Sequence, residues 1–123
     1  MIEERYVNFE TAILLKEKGF DEYCRGYYKF DKTLGFLNDA LVNNSVLNDG
    51  FDISAPTHQM VMAWLREVHN LHIIICVDDL DWSYQIVDFK NKLDVQYIKD
   101  LAGFNSFENA ADAAILECLT NLI

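Results

Sequence analysis

Three histidines, His58, His69 and His72, have the side-chain type needed to bind a metal ion. A zinc-binding helix usually carries two histidines about four residues apart on one face, with a third ligand nearby. Here we expect His69 to close a helix and His72 to begin a strand, so that they need not converge. The dipole at a helix C-terminus favours a cationic His69 without any metal. The pattern therefore predicts no metal site.

Three aspartates, Asp78, Asp79 and Asp81, follow closely after His72 and resemble part of a cation-binding loop. A calcium loop of the EF-hand type needs ligands alternating over about twelve residues, with a glycine midway and a closing glutamate. The chain instead continues into an alternating segment that begins at Trp82. Aspartate is common in turns because its side chain bonds the local backbone, so we predict a turn. Adventitious Ca²⁺ or Mg²⁺ binding there is an open alternative.

Motifs for nucleophilic catalysis are lacking in the sequence. There is no GxSxG motif and no glycine-rich phosphate loop. The three cysteines, Cys24, Cys76 and Cys118, are far apart and form no CxxC pair. We expect each to be an inert core thiol, since free cysteine behaves as a small hydrophobic residue. The sequence thus indicates no cofactor and no catalytic residue, and it favours a protein that is not an enzyme.

The two tryptophans differ in their expected surroundings. Trp64 falls within the apolar stripe of a predicted helix and is expected in the core. Trp82 directly follows the acidic turn and is expected to be partly exposed. Tryptophan and arginine are enriched in binding hot spots. We therefore predict a binding rim shared by Arg66, His69 and Trp82.

The bulk composition limits the class of protein. The chain has 123 residues, of which 51% are hydrophobic, which suits a single domain covering residues 1–123. The net charge of −10 disfavours binding to nucleic acids and to anionic membranes. The longest strongly apolar run, Ile73–Val77, is too short to span a membrane. The first residues form no apolar signal segment, so a cytoplasmic location is the simplest expectation.

The first half of the chain predicts one helix and a pair of strands. Asn8 is a suitable N-cap for a helix over residues 9–18, and Gly19 suits its C-terminal stop. Alternation from Tyr23 to Phe30 predicts a strand, with Leu34–Leu37 returning as its partner. Residues 38–54 read as a loop, with one short strand or helical turn inside it as an alternative.

The second half predicts a helix, a central strand, a hairpin and a closing helix. Thr57 is expected to cap the helix and Asn70 to end it, before a strand over His72–Val77 that is apolar on both faces and hence central. Trp82–Phe89 should pair with this strand, and Asp94–Ile98 is either a short strand or a helical turn. A last helix begins after its N-cap, Ser106. Its expected buried face comprises Ala111, Ala114, Ile115, Cys118, Leu119 and Leu122.

These elements together predict an α+β fold. We expect a two-layer domain with about three helices packed on one face of a mainly antiparallel sheet of about three to five strands. An open edge of such a sheet can pair with another strand, so a homodimer is compatible with the prediction.

Three segments carry a resemblance to a known family. They are Phe9–Phe20, the string from Ala55 to His69 that contains APT and WLREVH, and the closing Ser106–Leu119 with its alanine-rich helix. Together they resemble small uncharacterised proteins encoded by phages and mobile elements of gut bacteria. The resemblance implies a genomic setting and assigns no catalytic residue.

Three functions follow as hypotheses. The first is a non-enzymatic accessory protein of a phage or mobile element that acts through protein–protein interaction with an unknown protein partner. The second is an acidic decoy, a nucleic-acid mimic that inhibits a host defence protein. The third is a small metal-dependent hydrolase, which requires a pocket that unites His58, His69 or the turn at Asp78–Asp81.

Overall fold

The computed structural model describes residues 5–37, 40–47, 52–79, 81–90 and 95–123, and all structural statements refer to these residues. It confirms an α+β fold with two antiparallel three-stranded sheets. The elements in chain order are α1 (Phe9–Glu17), β1 (Gly26–Tyr28), β2 (Leu34–Phe36), β3 (Ile53–Ala55), α2 (His58–His69), β4 (Leu71–Asp78), β5 (Asp81–Asp88), β6 (Gln96–Phe104), α3 (Phe107–Glu117) and a π-helical turn (Cys118–Leu122). The chain divides into two compact units, Met1–Thr57 and His58–Ile123.

Helix α1 begins and ends where the sequence predicts. The Asn8 side chain accepts a hydrogen bond from the Thr11 backbone N–H at 2.9 Å, which satisfies one free donor of the first turn. Gly19 takes a left-handed conformation, with φ of 91°. The Phe20 N–H then donates to the Leu15 carbonyl at 2.9 Å, the closing bond of a Schellman motif.

The sheet of the first unit has the strand order β2-β1-β3. Its middle strand approaches β3 closely at Gly26, where a side chain would place its Cβ 2.8 Å from the Ala55 carbonyl oxygen. Strand β1 is shorter than the predicted Tyr23–Phe30, although Cys24 forms an isolated bridge with Val42. Strand β3 begins at Ile53, inside the segment 38–54 predicted as a loop, and ends one residue beyond it. Residues 38–39 and 48–51 of that segment are outside the described ranges.

The second unit is an antiparallel sheet of order β4-β5-β6 that packs with α2 and α3. Strands β4 and β5 form the predicted hairpin, with Asp78 opposite Asp81 at the turn, whose Leu80 lies outside the described residues. The predicted central position of β4 is wrong, because β5 lies between the other two strands and β4 is an edge strand. Strand β4 is apolar on both faces, but the two faces are buried to different degrees. Leu71 and Ile73 on one face are buried, whereas the described residues of the other face are half-buried.

Helix α3 supplies the apolar layer over this sheet. Ser106 caps it by accepting a hydrogen bond from the Asn109 N–H at 3.1 Å, as predicted. Of the six residues expected on its buried face, five are buried and Leu122 is half-buried. Alanine at positions 110, 111 and 114 lets the helix approach β4 and β5 closely, since no side chain beyond Cβ separates the backbones. Two layers, helices and sheet, therefore form in this unit as expected.

The left-handed residue between α2 and β4 gives a direct test of this architecture. Asn70 has φ of 57°, which a β-branched residue adopts only with strain. We expect Asn70→Val to lower the free energy of unfolding by about 1–2 kcal/mol in urea denaturation. The control Asn70→Gly should unfold close to the wild type, because glycine has no Cβ to clash. Equal midpoints for the valine and glycine variants would contradict the helix ending assigned to Asn70.

Candidate functional site

The structure does not bring Arg66, His69 and Trp82 into one rim. His69 lies two residues before Leu71, the first residue of β4, which pairs with Asp88. Trp82 instead pairs with Val77, near the other end of the hairpin. Six residues of extended strand separate these ends, about 20 Å. The predicted shared rim is therefore wrong, because strand register, rather than sequence proximity, sets the distance between these side chains.

Each of the three side chains has its own surroundings. Arg66 is exposed on α2. Trp82 is half-buried, as expected, and its ring meets the Phe107 ring edge-on at a centroid distance of 6.0 Å. The His69 ring stands edge-on to Trp64 at 4.7 Å, and Trp64 itself is in the core with 6% exposure, as predicted. Two of the three predicted binding residues thus make aromatic contacts inside the second unit.

His69 is not favoured as a cation, contrary to expectation. Burial lowers the pKa of His69 below its ordinary value, and the positive charge of Lys90 lowers it further. Its Nε2 atom is buried without a hydrogen-bond partner among the described residues. Burial and the Lys90 charge therefore outweigh the helix dipole, which favours a charged His69 ring.

The remaining histidines do not join His69 in a metal site. His58 and His69 are the first and last residues of the 12-residue helix α2 and so lie about 16 Å apart. His72 points to the opposite side of β4 from its buried neighbours Leu71 and Ile73. Among the described residues, no three histidine, cysteine, aspartate or glutamate side chains are grouped to hold a metal ion. The turn at Asp78–Asp81 lies at the far end of the hairpin from His69, so the strand register does not bring His69 and this turn together.

His58 is the one strongly buried histidine, and its place in the core was not expected. It is 5% exposed, and its Nε2 lies 2.6 Å from Asp112 Oδ1 on α3. The two atoms are close enough for an ion pair but are not aligned for a hydrogen bond. Neither ring nitrogen of His58 has a hydrogen-bond partner among the described residues. The pair joins the start of α2 to α3, which is a structural role.

The cysteines include two inert thiols. Cys24 and Cys118 are buried, and burial raises the pKa of both thiols, that of Cys118 to about 12. A thiol with a raised pKa is a poor nucleophile because little thiolate forms. Cys76 is half-buried on the hairpin, so the prediction of a core thiol is confirmed for Cys24 and Cys118 only.

An open groove of about 430 Å³ lies in the first unit, lined by Lys16, Gly19, Phe20, Asp21, Asn44 and Ser45. Its polar atoms are largely occupied with one another. The Ser45 hydroxyl and backbone N–H donate to the Asp21 carboxylate, which lowers the pKa of Asp21. The Asn44 amide donates to the Phe20 carbonyl at 2.7 Å and accepts from the Ser54 N–H at 2.9 Å. These bonds tie the end of α1 to β3 and explain the polar residues structurally.

Strand β6 is the most exposed element of the second unit. Eight of its nine residues are exposed, and the ninth, Phe104, is half-buried. Three of its exposed side chains are large and apolar: Tyr97 at 72% exposure, Ile98 at 40% and Leu101 at 49%. Val95, immediately before the strand, is 49% exposed. The segment Val95–Leu101, the β6 strip, thus concentrates exposed apolar surface in seven residues.

Strand β6 also has one edge that no other described strand pairs with. Among the described strands only β5 pairs with β6, so the other side of β6 carries backbone N–H and C=O groups without a strand partner. An exposed, long and apolar edge strand is a template for pairing with another chain. The sequence showed only the start of this element, because Asp94–Ile98 was equally compatible with a helical turn, and Asp94 lies outside the described residues.

Comparisons with known proteins add no assignment. No family model matches the chain, and neither the curated proteins nor the solved structures give a significant match. The described helices include none with the length and apolar character needed to cross a membrane.

The lowered pKa of His69 can be measured directly. We expect NMR titration of the His69 ring protons to give a pKa below about 6.5, the ordinary value for histidine. Lys90→Ala should raise it, because the repelling charge is removed, while Lys16→Ala on the first unit should leave it unchanged. Since the unfolded chain binds this proton first, His69 reduces stability as the pH falls below about 6.5 and has no effect above it. A His69 pKa above 6.5 in the native protein would contradict this account.

The pair of His58 and Asp112 predicts a stability effect. Asp112→Asn keeps the side-chain shape but removes the charge beside the buried ring. We expect a loss of about 1 kcal/mol in the free energy of unfolding, below the range for a fully buried charged contact because Asp112 is 38% exposed. Asp81→Asn, at an exposed position, is the control and should unfold like the wild type. An unchanged midpoint for Asp112→Asn would show that the pair does not stabilise the α2–α3 contact.

Proposed function

We propose that this chain acts through protein–protein contact and that the β6 strip is its binding surface. The observation that carries the proposal is the combination of a free strand edge with exposed apolar side chains in one short segment. Isolated exposed apolar residues are ordinary on protein surfaces, but a contiguous group marks an interaction site.

Two kinds of interaction are available to a partner at this surface. The free edge of β6 offers main-chain hydrogen bonds to an added strand, the mode called β-augmentation. Tyr97 and Leu101 offer apolar area, and tyrosine is enriched at the centre of protein interfaces. Main-chain bonds would give affinity, and the side chains that alternate along the strand would give specificity.

The charge of the β6 strip also favours an apolar partner. The whole chain carries −10, but the strip carries one cation, Lys99, and one anion, Asp100. Lys99 Nζ lies 3.2 Å from Glu117 Oε1 on α3, so its charge is already matched within the protein. A strongly basic or acidic ligand would therefore gain little here, whereas an extended apolar segment would gain from burial.

The genomic setting is part of the same proposal. The three segments that resemble phage and mobile-element proteins correspond closely to α1, α2 and α3. We propose an accessory protein encoded by a phage or mobile element of a gut bacterium, which binds a host or phage protein. The resemblance alone supports this setting, and the exposure of β6 supports the mode of action.

A pull-down with matched variants tests the function. Tagged wild-type chain is incubated with extract of an infected or element-bearing host, in parallel with Tyr97→Ser and Leu101→Ser. We expect both variants to lose a specific partner that the wild type captures, because apolar contact area is removed. Val77→Ser is the control, since Val77 is 59% exposed on β4, the opposite edge strand of the same sheet. Capture that persists in both β6 variants, or is lost equally in the control, would overturn the assignment of β6.

A further inference from the structure

We infer that β6 pairs antiparallel with β6 of a second copy of this chain, about a two-fold axis perpendicular to the sheet. The result is one sheet of six strands, built from the two sheets of order β4-β5-β6. The inference rests on the proposed function, because it names the occupant of the same β6 strip.

Three of the four usual protections against such pairing are missing from the edge of β6. Natural edge strands are guarded by prolines, by lysines that project past the edge, by short length or by bulges. Strand β6 is nine residues long and contains no proline. Its one lysine, Lys99, is held against Glu117 on α3. Bulges do occur, and they determine which register a second copy can adopt.

The charge distribution favours a second copy as the occupant. Two chains of −10 repel each other over most approaches. Within β6, Lys99 and Asp100 cancel, so this strand offers two copies a contact without net charge. A neutral, apolar, extended strand is matched best by another strand of the same kind, and β6 of a second copy is such a strand.

The β5–β6 pairing fixes which side chains of β6 share a face. Ile86 is fully buried and pairs with Lys99, which reaches Glu117, so this face points towards α3. On β5, Gln85 and Val87 point the other way, because successive side chains alternate. Their partners are Asp100 and Tyr97.

Tyr97 and Asp100 therefore lie on the same face although they are three residues apart. An odd separation on one face requires an extra residue, and a register shift between Ile86 and Val87 supplies it. The same argument places Gln96 and Leu101, the partners of Asp88 and Tyr84, together on the face towards α3.

This placement selects a self-complementary register. A two-fold axis perpendicular to the sheet keeps each face on its own side, so opposed residues must share a face. Tyr97 then lies opposite Asp100 of the second copy, and Gln96 lies opposite Leu101. At the centre, Ile98, the extra residue at the register shift and without a partner on β5, lies opposite Lys99 of the second copy. No like charges are directly opposed in this register, and directly opposed like charges would be destabilising.

The contact is small, which determines how the dimer should behave. A strand of nine residues is about 30 Å long, and pairing along one such edge buries less than the roughly 1,600 Å² of a standard interface. We therefore expect a reversible dimer whose population rises with protein concentration.

Sedimentation of the full chain tests the dimer and its register. With rising concentration, the mean mass should climb from 14.3 kDa towards twice that value. Ile98→Lys places like charges opposite each other and should weaken dimerisation at least tenfold. Ile98→Glu, which faces Lys99 of the second copy, should weaken it less, although it makes the chain more acidic. Val77→Lys on β4 is the control and should dimerise like the wild type.

A cross-linking experiment on the same surface does not depend on those variants. In a Cys76→Ser background, chains carrying Tyr97→Cys are mixed with chains carrying Asp100→Cys and oxidised. The mixture should form disulfide-linked dimers faster than either chain alone, because only the mixed pair is directly opposed. Equal rates would overturn the register and with it the inference.

The outcomes separate the inference from the proposed function. A wild type that stays at 14.3 kDa at all concentrations overturns the dimer. If β6 variants still lose a captured partner in that case, the proposed binding surface stands with a different occupant. If neither mass nor capture depends on β6, both proposals fail.

Discussion

The alanines of α3 set how closely this helix approaches the sheet of the second unit, and the exposure of the sheet follows from that contact. Ala110, Ala111 and Ala114 are fully buried, together with Ile115. The helix packs mainly over β4 and β5, where Tyr84 and Ile86 complete the apolar layer. Strand β6 lies further out and is left exposed along most of its length. The helix thus packs mainly over β4 and β5 and leaves most of β6 uncovered.

Local signals in the sequence predicted the helix ends well. Asn8, Gly19, Asn70 and Ser106 each adopt the cap or stop conformation that their residue types favour. Such features depend on bonds within a few residues, so composition and spacing are sufficient to locate them. The β4–β5 hairpin was likewise predictable, because alternation and an acidic turn act over short distances.

The arrangement of strands could not be predicted in the same way. Two sheets formed where one was expected, and the apolar run of β4 came to lie at an edge. Strand order depends on long-range pairing, which leaves no periodic signal in one sequence. Strand β6 was hardest to find because it is exposed on both faces, so that no alternation of apolar and polar residues marks it.

The candidate site changed for the same physical reason. Arg66, His69 and Trp82 were grouped by residue type and proximity in sequence, but the hairpin register separates His69 from Trp82 by most of a strand length. Burial then determined the state of His69 more than the helix dipole did. The surface that remains for binding is distinguished by what the fold leaves uncovered, and no sequence motif marks such a surface.

Amide hydrogen exchange of the intact chain tests the central claim most directly. The claim is that the outer edge of β6 is the contact surface. Exchange is followed across Gln96–Phe104 and across the other edge strand, Leu71–Asp78, at low and high protein concentration and with any captured partner. We predict that exchange in β6 slows when the contact forms, while exchange in β4 does not change. Association that leaves β6 exchange unchanged, or that protects β4 instead, would contradict the account.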